Sequence, residues 1–162
     1  MKPSSLTPPN CPGFSPKESD LVITGHADAR FTYSQGGVEL DQDVQVMASA
    51  QAVRKDFART VSSKLAGCLA YQLRKLPNVA AAKVERIPFP PTGAVSAVFR
   101  AVIAVHNGKS QGTLVSDYVF FGAGRVEYEF TVIAPVGAHD QLVRFEQGLA
   151  KILLRRAGMG TA

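Results

Sequence analysis

Three consecutive segments in the second half of the chain show strand patterns, and glycine-containing turns separate them. In the first, 95–105, apolar residues lie on both parities, which predicts a central strand that is mostly covered on both faces. The clearest is RVEYEFTVIA at 125–134, in which apolar and polar residues alternate up to Val132. Asn107-Gly108 and the run GAG at 122–124 suit the positive φ angles of tight hairpins. Alternation with a period of two is typical of a strand with one buried face. Consecutive strands joined by short turns predict an antiparallel sheet.

Three earlier segments show strand patterns of the same kind. Residues 21–33 place apolar side chains on one parity, and Gln35-Gly36-Gly37 then predicts a hairpin turn. The run VELDQDVQV at 38–46 predicts the second strand, with a β-bulge near Gln42 because its alternation is loose. The run VAAAKVERI at 79–87 predicts the strand that precedes the three described above.

Two amphipathic helices are predicted. Ser49 can cap the first, which continues to Pro77 as one long helix of about seven turns. Its apolar stripe, at steps of four and three, consists of Val53, Phe57, Val61, Leu65, Leu69, Leu73 and Leu76. The second begins at Asp140 and ends at Gly158. Its apolar face consists of Leu142, Phe145, Leu149, Ile152 and Leu153.

These elements predict an α+β fold with the order ββ-α-ββββ-α, a mostly antiparallel sheet covered by two helices. The single domain spans 21–157, and 158–162 form a tail. Residues 1–20 contain five of the ten prolines and predict an irregular arm. The chain has 162 residues, of which 46% are hydrophobic and 19% charged, which excludes whole-chain disorder. No apolar run reaches the roughly 18 residues of a membrane helix.

The net charge is +5, and its distribution is uneven. The basic residues of the two predicted helices are Arg54, Lys55, Arg59, Lys64, Arg74, Lys75, Arg144, Lys151, Arg155 and Arg156. The acidic residues of the first hairpin are Asp28, Glu39, Asp41 and Asp43. Solvated helix faces are the main interpretation, and weak contact with an anionic surface is the alternative. A nucleic-acid partner is not expected, because no aromatic and basic residues interleave as in an RNA-binding sheet.

Two cysteines allow one disulfide. Cys11 lies in the proline-rich arm and Cys68 at the edge of the helical stripe, so a bond would anchor the arm. We expect Cα atoms within about 7 Å, the limit for bridging. Such a bond requires an oxidising compartment, and we expect an extracellular or envelope protein whose signal peptide has been removed. Two unrelated thiols are the alternative.

Catalytic and metal-binding patterns are scarce in the sequence. His26, His106 and His139 show no metal-ligand spacing, and neither a metal nor a cofactor is expected. Asp117 has the parity of a buried residue, so it needs a partner, for which Arg100 or Arg125 is available. A cleft with Asp117, His106 and Tyr118 is the enzymatic alternative.

Aromatic residues are concentrated on two adjacent strands. Because successive side chains of a strand point to opposite faces, Phe120 and Phe121 cannot both lie under one helix layer. A ligand groove lined by Tyr118, Phe120, Phe121 and Tyr128 is therefore a hypothesis, and core packing is the alternative.

Two longer runs of sequence resemble known proteins. TGHADARFTYSQGGVELDQDVQVMASAQAVRKDFARTVSSKLAGCLAYQL and VFRAVIAVHNGKSQGTLVSDYVFFGAGRVEYEFTVIA resemble the two halves of small exported actinobacterial proteins. The order of elements is similar to the PsbP-like fold, to LpqN-type lipoproteins and to the sensor domain of PknH-type kinases. The resemblance covers roughly 21–157 and implies a non-catalytic envelope module, with no catalytic residue to carry over.

The expected function is an exported, non-catalytic binding or sensor-like module that recognises an envelope ligand or protein through its curved sheet or a groove. Two alternatives stay open. One is the small enzyme with the cleft named above, and the other is a structural subunit whose strand edges pair with a partner.

Overall fold

A computed structural model describes residues 10–16, 20–33, 37–108 and 110–158. One six-stranded antiparallel sheet, with the strand order β1-β2-β6-β5-β4-β3, forms its centre. The strands are β1 (Ile23–Tyr33), β2 (Val38–Met47), β3 (Val79–Ile87), β4 (Val95–Asn107), β5 (Ser110–Ala123) and β6 (Val126–Pro135). The predicted α+β class is confirmed. β5 pairs in antiparallel fashion with β4 and with β6, its neighbours along the chain, as the glycine-containing runs predicted.

Three helices pack on the sheet, α1 (Ala50–Thr60), α2 (Leu65–Leu73) and α3 (His139–Arg156). The single long helix predicted between β2 and β3 is therefore wrong, because the chain leaves the helix at Val61, where ψ is 56°. The segment TVSSK combines β-branched residues with serines, which favour turns over helix interiors. The Ser62 hydroxyl accepts a hydrogen bond from the Lys64 backbone at 3.4 Å. The predicted cap is confirmed, since Ser49 Oγ accepts from Ala52 N at 3.1 Å.

The helices cover both faces of the sheet. Helices α1 and α2 pack on one face, over a core that contains Leu65, Phe99 and Phe120. Helix α3 packs on the other face, over a core that contains Phe121 and Phe130. The first core also extends towards β3, where Leu73, Ala101 and Ile103 are buried.

The first hairpin projects beyond the helices. Among the described elements only β2 packs extensively on β1, which is the outermost strand. The bulge predicted near Gln42 is absent, because Gln42 pairs regularly with Ala29 and Phe130. The pairing of β1 shifts instead between Ile23 and Gly25. The predicted hairpin turn and much of the predicted arm, residues 34–36, 1–9 and 17–19, lie outside the described residues.

Candidate functional site

Cys11 and Cys68 are bridged, with their Cα atoms 5.6 Å apart. This distance lies within the limit expected from the sequence. Both residues are buried, and Phe14 packs beside them over Val61 and Leu65. Gln72 of α2 donates a hydrogen bond of 2.8 Å to the Asn10 carbonyl. The bond and these contacts hold residues 10–16 on α2.

The four aromatic residues that were predicted to line a groove lie mainly in the two cores. Phe121 and Tyr128 stack with ring centroids 4.7 Å apart under α3. Phe120 meets Phe99 edge to face at 6.2 Å on the opposite side of the sheet. Tyr118 is half-buried beside them, and burial raises its pKa. Helices on both faces therefore explain how Phe120 and Phe121 can both be covered.

Asp117 forms a buried ion pair with Arg100, which is one of the two partners predicted from the sequence. Asp117 Oδ1 accepts a hydrogen bond of 2.7 Å from Arg100 Nε, and Asp117 is fully buried. Glu146 of α3 is only 1% exposed and interacts electrostatically with both members of this pair. Burial and the Asp117 carboxylate together raise the pKa of Glu146 to about 9, so Glu146 is protonated at neutral pH.

The enzymatic alternative needs Asp117, His106 and Tyr118 in one cleft, and the structure does not bring them together. Asp117 and Tyr118 are adjacent in β5 and point to opposite faces. His106 is exposed near the end of β4, opposite Gln111. His26 instead contacts Asp43 on β2, with 2.5 Å between Nε2 and Oδ2. The side chain of His139 lies outside the described residues.

An apolar groove runs between α3 and the β1–β2 hairpin, and we call it the α3–hairpin groove. Its volume is about 630 Å³. The hairpin side contributes Phe31, Tyr33, Val38 and Leu40, and the helix side contributes Leu142, Phe145, Leu149, Ile152 and Leu153. Phe31 is 57% exposed and Phe145 is 47% exposed, so the groove walls present unburied aromatic rings.

One cationic group lies in this groove. Arg156, in the last turn of α3, is the single charged residue among its described lining residues. The polar lining residues are Thr32, Gln42 and Gln141. The groove therefore combines a long apolar surface with one positive charge.

Sequence reasoning placed these groove residues in the core. Phe145 and Ile152 were assigned to the apolar stripe of the last helix, and Phe31 and Tyr33 to the apolar face of the first strand. The missing information was that β1 is an edge strand, so its apolar face lines a groove beside α3 and is not covered by it. The width of the apolar stripe on α3 could have indicated the groove. Phe145 and Ile152 extend this stripe beyond the buried residues Leu142 and Leu153.

Acidic residues cluster on the opposite face, beside α1. Asp43, Asp56 and Glu129 belong to β2, α1 and β6. Burial raises the pKa of Asp56, although Arg59 partly offsets the shift. Burial, Asp43 and Asp56 raise the pKa of Glu129 to about 8. In the ranges that the structure describes, no three ligand side chains are arranged to hold a metal ion.

The basic residues of the helices do not form one surface. Arg54 and Lys55 lie on α1, while Arg144, Lys151 and Arg155 lie on α3 across the sheet. Lys55 and Arg59 form ion pairs with Asp20, which lower the pKa of that carboxyl to about 2.

No helix within the described part of the chain has the length and apolarity needed to cross a membrane. No protein-family profile, characterised protein or solved structure matches the chain.

Proposed function

We propose that the chain is an exported binding module whose α3–hairpin groove holds a single-chain amphiphile with an acidic head group. The observation that carries this proposal is the groove itself, a concave apolar surface of about 630 Å³ beside one arginine. Small-molecule sites are typically apolar clefts of roughly 300–1,000 Å³ with a few polar groups that set orientation.

The apolar chain would lie between the helix and the hairpin. Phe31 and Tyr33 on one side and Phe145 and Ile152 on the other are 40–61% exposed. Each would lose water contact when an acyl chain is inserted, which is favourable by about 25 cal/mol per Å² of apolar surface. No comparable gain is available to a polar or highly charged ligand.

The acidic head group is inferred from Arg156. A guanidinium presents several donors in a planar fork and pairs well with a carboxylate or phosphate. Its position at the groove would set the direction of a chain that carries one anionic end. The disulfide supports the exported location, because such bonds persist in oxidising compartments.

Titration with cis-parinaric acid, a fluorescent fatty acid, tests the proposal. We expect saturable binding by the purified oxidised protein, and weaker binding by Phe145→Asp because a charge then enters the apolar wall. Arg156→Gln should lower the affinity for the fatty acid but leave the affinity for a fatty alcohol of equal chain length unchanged. Both affinities are measured by competition against the fluorescent probe.

Neighbouring positions provide matched controls. Arg155→Gln removes an exposed arginine that does not line the groove, and Val102→Asp adds a charge at an exposed position on β4 outside it. Both should bind as the unmodified protein does. Equal affinity in all variants, or no saturable binding, would overturn the proposal.

A further inference from the structure

The outer edge of β1 is a long unpaired strand edge in the structure. It spans 11 residues at one end of the sheet, and no described residue pairs with its outer side. Such an edge presents backbone N–H and C=O groups that can pair with another strand. Neither lysine nor proline occurs in β1, although proteins commonly use these residues to block an edge.

The charges of β1 favour a second copy of β1 as the partner and one register of pairing. Asp28 and Arg30 lie on the same face of the sheet, because they are two residues apart. In an antiparallel pair of two β1 strands related by a two-fold axis at Ala29, each Asp28 lies opposite the Arg30 of the other copy. Two opposite-charge pairs then form across the junction, an arrangement that stabilises cross-strand pairing.

Neighbouring registers are unfavourable. An axis at residue 28 would oppose two aspartates, and an axis at residue 30 would oppose two arginines. Asp28 is exposed and lies across from Asp43 in β2, and no basic group among the described residues forms an ion pair with Asp28, so an arginine of a second copy would offset this like-charge neighbour. Arg30 already contacts Asp41 and is 73% exposed, so its guanidinium remains accessible from the edge.

We propose that this protein forms a two-fold dimer in which β1 of one copy pairs with β1 of a second copy at Ala29. The two sheets join into one twelve-stranded sheet. On the opposite face, Phe31 of each copy lies across from Ala27 of the other, so the two α3–hairpin grooves share one continuous surface. The pairing does not depend on occupancy of either groove.

The other edge strand, β3, is less suited to this role. Lys83 and Glu85 of β3 already form an ion pair with each other, with 2.9 Å between Nζ and Oε2. The exposed apolar side chains of β3 are mainly alanines. Pairing at β3 would therefore bury less apolar surface than pairing at β1, where Phe31 and Tyr33 are more than half exposed.

Charge exchange tests the register. Asp28→Arg places arginines opposite arginines, and Arg30→Asp places aspartates opposite aspartates. Each variant alone should sediment as a monomer, with a dimer dissociation constant raised at least about tenfold. An equimolar mixture should form a heterodimer, because every opposed pair is then of opposite charge. Simple damage to folding cannot produce this rescue.

Cysteine cross-linking provides a second readout. Directly opposed residues of antiparallel strands have Cα atoms about 4.5–5.5 Å apart, within disulfide range. Ala29→Cys should therefore give a covalent dimer on mild oxidation. Ala27→Cys is the matched control, since the Cα atoms of its two copies would lie about 14 Å apart. A monomer at every concentration tested, no rescue on mixing, or cross-linking through Val84→Cys on β3 instead would overturn the proposal.

Discussion

Glu146 of α3 and Asp117 of β5 are two buried carboxyl groups that lie over one guanidinium, that of Arg100. Arg100 and Asp117 are neighbours across the β4–β5 pairing, and Glu146 of α3 interacts electrostatically with both. One arginine can balance one carboxylate, so the second carboxyl keeps its proton at neutral pH. The attachment of α3 to the sheet is therefore linked to protonation.

Glu146→Gln should stabilise the protein at alkaline pH. The pKa of Glu146 is raised from its ordinary value of 4.5 to about 9, so the protonated form belongs to the folded state. The contribution of the protonated Glu146 carboxyl to the free energy of unfolding is complete below pH 4.5 and is lost as pH rises towards 9. We expect equal urea midpoints at pH 4.5 and a higher midpoint for the variant at pH 8.5. Glu85→Gln, on the exposed edge strand, should show no such gain. The prediction would be contradicted if the urea midpoints of Glu146→Gln and of the unmodified protein differed by the same amount at both pH values.

Asp117→Asn should destabilise the protein, because it leaves the buried Arg100 guanidinium without its hydrogen-bonded carboxylate. Breaking a buried pair costs on the order of 3–5 kcal/mol, and ionisation of Glu146 should offset part of this cost. The same substitution should therefore be more costly in the Glu146→Gln background. A double-mutant cycle of denaturant unfolding at pH 7 measures this coupling, and strict additivity would show that the two carboxyls do not interact.

Gly122→Ala should destabilise the contact between α1 and the sheet. A Cβ at this position would lie 2.4 Å from Val53 Cγ1 and 3.1 Å from Val95 Cγ2. Valine side chains are stiff, and overpacking of this kind costs roughly 1–3 kcal/mol. Gly112→Ala, on the same strand, meets Val105 at an ordinary 3.7 Å and should leave the thermal midpoint unchanged. Equal midpoints for the two variants would rule out a tight fit at Val53.

Cys68→Ala should release residues 10–16 while the remaining domain stays folded. Loss of the bond removes up to about 4 kcal/mol, and Phe14 together with the Gln72 hydrogen bond is a small remaining anchor. Limited proteolysis followed by mass spectrometry should show rapid cleavage near Phe14 and a stable core. Cys11→Ala should behave identically. A protected Phe14 in both variants would show that packing alone holds the segment.

The strand pattern predicted much of the fold, because alternation and Asn-Gly turns are local features. It predicted six strands, their antiparallel pairing and the parity that buries Asp117. The break at Val61 was missed because the apolar stripe continues through α2, so periodicity alone could not show the change of direction. Strand order could not be predicted locally either, since β2 lies beside β6 through contacts between distant residues.

The candidate site was harder to predict, for two physical reasons. Phe120, Phe121 and Tyr128 are aromatic, and an aromatic residue on a strand has the same appearance in sequence whether it lines a groove or fills a core. The alternation of the first strand places Phe31 and Tyr33 on its apolar face, which the pattern predicts to be buried. The edge position of β1, which the local pattern does not show, leaves them exposed. Glu146 was visible as a charge within the apolar stripe of α3, between Leu142 and Leu149.

The Cys11–Cys68 bond closes a covalent ring that contains β1, β2 and α1 and leaves β3–β6 and α3 outside. A pulling force applied at the two ends of the chain bypasses this ring through the sulfur atoms. With a sequence separation of 57 residues, roughly 200 Å of contour length, at about 3.5 Å per residue, stays hidden from the load. The hairpin wall of the groove is thus shielded from the tension, whereas the helical wall, α3, lies in the part of the chain that carries it.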